Sequence, residues 1–487
     1  MKINRVLSAV LSRNNYSTVH KSVSIVKING KEFEADDYTN ITPKITSYLG
    51  RNLHLQKNNP LSIVRQRIVN YFYSSFTQRG NPTFSVYDNL PPIVTTKQNF
   101  DDLLIPSDHP SRAKSDCYYI NKETLLRAHM TSHQSELLKS GLDNFLMIGD
   151  VYRRDEIDST HFPVFHQVDA VRSQRKEELF SDKPDYEIFE PIFDPENPLQ
   201  FTNSIDDPMK QKCHTLEATK LMEAQLKNHL IGMVCSLFGK DIKHRWVDAY
   251  FPFTHPSWEL EIYYENKWME VLGCGIVRNE ILATAGPNNS IAYAFGLGLE
   301  RLAMALYKIP DIRLMWSKDS GFLTQFQTDN LNAEITYKPV SQYPQCVNDI
   351  SFWLPGNLTV DTFQSNDFYD IVRDIGGDII EQVKLKDKFI HPKTKKHSVC
   401  FSIVYRHLER TLTQPEVNKI HIEIEKALIS AFNVCLPYKF FYDNGCPAVS
   451  NKERGGRMFM GVFSGFEFNL PYRHPRGGKK ARGHCSA

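Results

Sequence analysis

The chain has 487 residues, 41% of them hydrophobic, enough for two or three ordinary domains with real cores. Its 58 basic and 56 acidic residues nearly cancel, so it is no polycation, and contact with nucleic acid has to come from a local patch. Nine scattered cysteines without a C-x-x-C pair exclude a disulfide framework or zinc knuckle, and no run of about 18 apolar residues marks a membrane span.

The first 20 residues read as a mitochondrial transit peptide. No Asp or Glu occurs between Met1 and Lys31, and Ile3, Val6, Leu7, Val10 and Leu11 share one helical face. A frayed, solvated terminus is the alternative. "PLSIVRQRIVNYFYSSF" (Pro60–Phe76) predicts a helix capped by Ser62. "ETLLRAHMTSHQSELLKSG" predicts a short strand and a helix ending at Gly141. "FLMIGDVYRRD" and "HFPVFHQVDAVRS" predict an antiparallel hairpin.

A charged insertion (Arg175–Asp207) and a long helix over Met209–Gly239 follow, then several short strands to Ala285. "IAYAFGLGLERLAMALYKI" runs from strand through a glycine-rich bend into a helix. Strands follow strands locally, so the core is an antiparallel sheet carrying helices, α+β rather than a βαβ array. Ser317–Gln342 is polar and aperiodic, a linker and candidate hinge for the domain that follows. Tyr343–Phe432, with a last strand near Cys435–Phe441, has the order βαββαβ of a ferredoxin-like unit. The tail from 443 to 487 is basic.

In a strand, side chains alternate faces. Arg153 and Asp155 then share one face and Arg154 takes the other, while Phe165, Gln167 and Asp169 line up on the returning strand. Arg153 suits a phosphate, Phe165 a stacked base, and Asp169 with Gln167 an ammonium group. The plain alternative is a hairpin whose charges pair at the surface. Gly296 and Gly298 leave a bend that a ligand can approach, and Arg301 beyond them suits a second phosphate. Neither a Walker A loop nor a GxGxxG fingerprint is present. Phe251 and Phe253 are either plain core or the walls of a slot for a flat aromatic ligand. Glu270 suits magnesium or a ribose. His129, Thr131, His133 and Gln134 either cap a helix or touch substrate.

These stretches resemble class II aminoacyl-tRNA synthetases. "VYRRDEIDSTHFPVFHQVDA" resembles motif 2 and "AYAFGLGLERLAM" motif 3. "FPFTHPS…WMEVLGCG" is similar to the version in phenylalanyl-tRNA synthetases, and the C-terminal unit resembles the ferredoxin-fold anticodon-binding domain. A catalytic module fused directly to that domain, behind a leader, resembles the family's single-chain mitochondrial members. The resemblance implies a catalytic domain over 45–317, a linker over 318–342 and an anticodon-binding domain over 343–442. It implies charging of tRNA(Phe) with L-phenylalanine through an adenylate in the mitochondrial matrix, with ATP and Mg2+. It also implies a monomer that needs no membrane.

By this resemblance the catalytic residues are Arg153, on the α-phosphate, and Arg301, on the γ-phosphate. Phe165 stacks on adenine. Gln167 and Asp169, with Val168 between them, hold the substrate's amino group; many relatives have Glu where Asp169 stands, so the reach here is shorter. His129, Thr131 and Gln134 line the amino-acid site beside Ser132 and His133. Thr160, His161 and Phe162 lie on the mobile motif 2 loop. Phe251 and Phe253 sandwich the substrate ring. Glu270, the magnesium ligand, and Phe295 complete the pocket. Motif 1, near Pro60–Phe76, is degenerate, and no room remains for an editing module. The tail matches nothing in the family: an added tRNA-binding arm, a disordered extension or a faulty gene model are the readings. Rival readings are a ligase for phosphoserine, a tRNA-binding paralogue without catalysis, and a DNA- or RNA-binding factor.

Overall fold

The computed structural model describes residues 24–191, 207–286, 289–339 and 343–436. The leader, the basic tail and most of the strand expected near Cys435–Phe441 lie outside them.

Helix α1 spans Pro60–Ser75. Its cap is Asn59, whose side chain accepts from the Leu61 N–H at 3.0 Å, rather than Ser62. Proline's fixed φ suits the first helical position, which moves the cap one residue before it. Strand β1 (Ser85–Tyr87) precedes a three-residue strand, a 3₁₀ turn over Met130–His133 and helix α2 (Gln134–Lys139). Strands β2 (Asn144–Tyr152) and β3 (Val164–Arg175) form the expected hairpin.

Helix α3 covers Leu216–Phe238, starting at the Thr215 cap rather than at Met209, and closes at Gly239, φ +101°. Three long strands follow instead of several short ones: β4 (His244–Phe251), β5 (Thr254–Tyr264) and β6 (Lys267–Val277). The turn between β5 and β6 holds Glu265 and Asn266 at φ +48° and +64°, the left-handed pair that matches a tight hairpin's twist. Asn279–Ala285, expected as strand, is helix α4. Strand β7 (Ser290–Gly298) runs into helix α5 (Leu299–Tyr307).

These strands make one seven-stranded sheet in the order β4-β5-β6-β7-β3-β2-β1, antiparallel except for β1 beside β2. Apolar residues of α1, α3 and α5, such as Phe72, Leu226 and Leu302, share one buried core with Val168 and Leu297 of the sheet. Gln167 and Asp169 alternate with Val168 and so take the opposite face, where the cleft lies.

The segment read as a linker is packed rather than free. Asp319 caps a helical turn over Ser320–Leu323, and Phe322 and Phe326 are each 1% exposed. The Tyr337 N–H donates to the Tyr307 carbonyl at 2.8 Å. The average polarity of this stretch hides two aromatic residues one helical turn apart.

The C-terminal unit contains β8 (Cys346–Trp353), α6 (Ser365–Gly376), β9 (Ile380–Ile390), β10 (His397–Tyr405) and α7 (Gln414–Phe432). Its sheet order is β8-β10-β9, and Cys435 bridges the free edge of β8 at Trp353. That is the ferredoxin-like arrangement, with Phe352, Phe368 and Phe401 at its centre. The class is α+β.

Candidate active site

The β2–β3 register sets the site. Val151 faces Phe165, Gly149 faces Gln167 and Met147 faces Asp169. Arg153 lies one residue past β2, but its N–H still donates to the Pro163 carbonyl at 3.0 Å. Its Nε donates to the Ala128 carbonyl at 2.7 Å, and the guanidinium carbon stands 5.2 Å from the centre of the Phe165 ring. Burial lowers the Arg153 pKa, with Asp169 and Asp155 opposing. An arginine remains cationic through such a shift, so a half-buried positive charge faces the cleft.

Arg154 turns the other way. It is 7% exposed, and burial alone would lower its pKa, but Asp370 at 2.5 Å and Asp367 at 2.8 Å raise it. Both carboxylates stand on α6 of the C-terminal unit. The two arginines thus separate as expected, but the second ties the units together.

The cleft encloses a cavity of about 630 Å³, lined by His129, Thr131, Gln134, Arg153, Gln167 and Asp169, with Phe251, Phe253, Glu270 and Phe295 across from them. Its polar side is rich in acceptors that lack donors. The Thr131 hydroxyl donates to Asp169 Oδ2 at 2.5 Å, but Oδ1 has no partner among the described residues. His129 Nε2 stands 3.1 Å from the Asn99 carbonyl and must carry its proton, which leaves Nδ1 bare, also without a partner. Burial, with Arg153 adding to it, pushes His129 down to about 3, so the ring is neutral. Both amide atoms of the buried Gln134 are unpartnered too. Burial pushes Asp169 up to about 6, although Thr131 and Arg153 oppose it. Buried acceptors of this kind are costly unless a ligand supplies donors, and an ammonium group supplies three.

The apolar side differs from the expected slot. Phe251 ends β4 and Phe253 sits in the turn to β5. Their rings are 5.9 Å apart and 17° from parallel, so they stack on each other. A ring held between them would need roughly 9 Å, twice the close spacing of an aromatic pair. The pair forms a wall, not a sandwich. Gly273 makes room for it, because a Cβ there would come within 2.7 Å of the Phe251 ring. Phe295 bounds the cavity while its own ring stacks on Phe72. Gly296 lies opposite Asp169, and a Cβ there would meet Oδ1 at 2.8 Å. Its value is thus space for the carboxylate within a regular strand rather than a bend.

At the mouth, Arg301 in the first turn of α5 pairs with Glu270 at 3.0 Å and donates to its carbonyl at 3.1 Å. Glu259 is pushed up by burial, then by the nearby charges of Glu270 and Glu261, with Arg301 opposing. A cation would relieve that crowding. Among the described residues no three metal-ligating side chains converge. Glu270 therefore fits a divalent ion that takes its other ligands from phosphate and water.

The remaining expected residues fall elsewhere. Val168 is fully buried in the core. Phe162 is 9% exposed and stacks on Trp316 at 5.3 Å, with Tyr48 at its edge, so its ring is core and not loop. Thr160 and His161 do lie on an exposed loop, where both backbone N–H groups donate to Asp158 Oδ1 at 2.6 and 2.8 Å. His161 loses basicity by burial but gains more from its bond to Asp158, and its pKa is raised. Ser132 donates to the His129 carbonyl at 3.0 Å, and His133 accepts from Arg127 at 3.2 Å, so both brace the cavity wall from behind. Neither His129 nor His133 caps a helix through its side chain, which removes the capping alternative.

Sequence reading missed Arg127, 2% exposed, which grips the Asp150 carboxylate at 2.5 Å and its carbonyl at 2.6 Å. The signal was Gly149, whose missing Cβ leaves the space that Arg127 fills. It also missed Asn366, a C-terminal residue that lines the cavity and donates to the Ser115 carbonyl at 2.9 Å.

Residues 46–195 and 214–326 match the family described as tRNA synthetases class II core domain (F), and residues 341–436 match the ferredoxin-fold anticodon binding domain. The fold and its cleft are those of a class II aminoacyl-tRNA synthetase with an anticodon-binding domain. The chain is 61% identical over 416 residues to the probable mitochondrial phenylalanine–tRNA ligase of Drosophila melanogaster, covering 84% of this chain and 92% of that one. It is 50% identical to the mitochondrial phenylalanine–tRNA ligase of Mus musculus, covering 84% and 88%, and 48% identical to that of Rattus norvegicus, covering 84% and 89%. The chain belongs to the phenylalanine–tRNA ligase family.

Proposed function

We propose that the chain activates L-phenylalanine with ATP and transfers it to tRNA(Phe), releasing AMP and pyrophosphate. The observation that carries the substrate assignment is the acceptor cluster of Asp169, Gln134 and His129 in one cavity with the Phe251–Phe253 wall. An α-amino acid with an apolar aromatic side chain satisfies both sides. The wall carries no cation, which disfavours phosphoserine. The Arg153 guanidinium beside the cluster disfavours a paralogue that has lost catalysis, and the near-neutral total charge disfavours a general nucleic-acid binder.

Asp169, Gln167 and Gln134 hold the ammonium group and so aim the carboxylate at the α-phosphorus. That carboxylate attacks in line, and no general base is needed because it is already ionised. Arg153 stabilises the charge that grows on the α-phosphate. Phe165 backs Arg153 and offers the face on which adenine stacks. Arg301 leaves Glu270 for the γ-phosphate. A divalent cation bound by Glu270, in our reading Mg2+, would neutralise charge on the departing pyrophosphate. The 3′-terminal ribose hydroxyl of the tRNA then takes the phenylalanyl group. The C-terminal sheet reads unpaired anticodon bases. An apolar wall rejects tyrosine's added hydroxyl only moderately.

The names of the relatives support a mitochondrial location. The acid-free leader over residues 1–20 supports the matrix, and the relatives' single-chain form supports a monomer. We keep the assignment of 45–317 as the catalytic domain and 343–442 as the anticodon-binding domain, with 318–342 as a connection that packs on the catalytic core through Phe322 and Phe326 rather than a loose linker. ATP–pyrophosphate exchange with phenylalanine, tyrosine and phosphoserine in parallel tests the reading. Exchange with phenylalanine, lowered about 100-fold or more by Arg153→Ala, is expected. A folded sample silent with all three would sink it in favour of a tRNA-binding paralogue.

A further inference from the structure

One buried hydrogen-bonded pair beside the cleft has no part in the mechanism above. Glu300 is 3% exposed and His166 fully buried. Glu300 Oε2 accepts from the His166 backbone N–H at 2.8 Å, and Oε1 stands 2.7 Å from His166 Nδ1. Each partner adjoins site residues: His166 lies between Phe165 and Gln167, and Glu300 directly precedes Arg301.

The register explains why the bond exists. Strand β7 pairs with β3 as far as Gly298 opposite Gln167, then turns into α5. His166 is the next residue of β3 and has no β7 partner. The Glu300 carboxylate takes the place of the missing strand and accepts the His166 N–H. The ladder thus continues through a side chain into the first turn of the helix. Leu299 and Leu302 pack that turn on the core, but apolar attraction is non-directional and tolerates small slides. Two hydrogen bonds to one carboxylate do not, since both lose geometry together.

We propose that His166 and Glu300 are positioning residues that fix the span between Arg153, carried by the β2–β3 hairpin, and Arg301, carried by α5. They touch no substrate. Their object is the polyphosphate that bridges the two arginines, so the proposal rests on the phosphate roles assigned above.

The test is pyrophosphate exchange by the full chain, with KM measured separately for ATP, pyrophosphate and phenylalanine. Glu300→Ala is expected to raise KM for ATP and pyrophosphate about tenfold and to leave that for phenylalanine within about twofold. Glu300→Gln keeps length and loses charge: its carbonyl accepts the His166 N–H and its amide donates to Nδ1 of the other tautomer. Glu300→Asp keeps charge and loses reach. If geometry matters, Gln is expected within about threefold of the parent and Asp impaired for ATP. Equal loss for all three substrates, or Gln worse than Asp, would overturn the proposal even if Glu300→Ala fails to fold. Arg301→Ala is the control. If it leaves KM for ATP and pyrophosphate unchanged, the phosphate role of Arg301 is wrong. If it raises both while Glu300→Asp raises neither, that role stands and the positioning idea alone is wrong.

Discussion

Asp169 is the residue whose chemistry is most exposed to test. Burial holds its pKa at about 6 in the free protein, against an ordinary value of 3.8. The raised value means the fold prefers the protonated acid, so this group's contribution to stability declines as pH rises from about 4 to about 6. Binding an ammonium group reverses the preference, because only the carboxylate attracts it. We expect KM for phenylalanine to climb as pH falls through about 6, and Asp169→Asn to raise it about tenfold or more and flatten the profile. A slope unchanged in Asp169→Asn would show that another group titrates. Gly296→Ala should act through the same atom, raising KM for phenylalanine with KM for ATP within about twofold, since its Cβ intrudes on Oδ1.

Much at this scale was legible, because strand alternation alone put Phe165, Gln167 and Asp169 on one face. Phe162 misled for a physical reason. It lies in a polar loop by sequence, yet Trp316, distant in the chain, offers its ring a partner. Arg154 turned to the opposite face as alternation required, but its partners were not legible, since the C-terminal unit supplies its carboxylates.

Elements were read best where a local signal terminates them. Gly239 and Gly141 end segments at positive φ, and the second helix of the βαββαβ unit, Gln414–Phe432, starts behind a Thr413–Glu416 capping box. They were read worst where composition stood in for pattern, as across Ser317–Gln342. The buried pair Phe322 and Phe326 turns that error into a prediction. Each ring packs in the catalytic core, Phe326 at 5.4 Å from the Tyr307 ring that ends α5. Phe326→Ala should cost about 3–5 kcal/mol in chemical denaturation, as for other buried aromatics. A loss under about 0.5 kcal/mol, usual for a surface site, would restore the loose linker. Asn59→Ala should cost about 1–2 kcal/mol, because it removes a helix cap and also the 2.9 Å bond to the buried Met315 carbonyl.

At the scale of the molecule, the C-terminal unit is part of the catalytic cleft. Asn366 lines the cavity, and a buried charge network docks α6 on the residues that follow β2. Asp370 accepts from Arg154 at 2.5 Å, from Arg373 at 2.6 Å and from the Tyr118 hydroxyl at 3.0 Å. Arg373 also donates to the Asp155 carbonyl at 2.8 Å, and the Val383 N–H to that of Ile157 at 2.9 Å. Such docking is strong when complete and fragile when one partner goes, since removing Asp370 takes the paired carboxylate from the buried Arg373 and leaves Arg154 only the more exposed Asp367. Breaking a buried pair this way typically costs about 3–5 kcal/mol. The cost falls at the junction, because Asp370 does not line the cavity and its bonds to Arg154 and Tyr118 cross from α6 to the catalytic domain. Asp370→Ala is therefore expected to split thermal unfolding into two calorimetric transitions and to enlarge the particle in small-angle scattering. Pyrophosphate exchange should persist, as Arg153 and Asp169 keep their own supports. Scattering unchanged by Asp370→Ala would place the hold in Ile157, which packs in the C-terminal core, and in the 3.1 Å bond from the Tyr48 hydroxyl to Asp378, both of which would then have to break before the C-terminal unit can swing on tRNA binding. Scattering unchanged by tRNA in the parent would rule out the swing itself. Asn366 would then remain a fixed wall of the site throughout the transfer step.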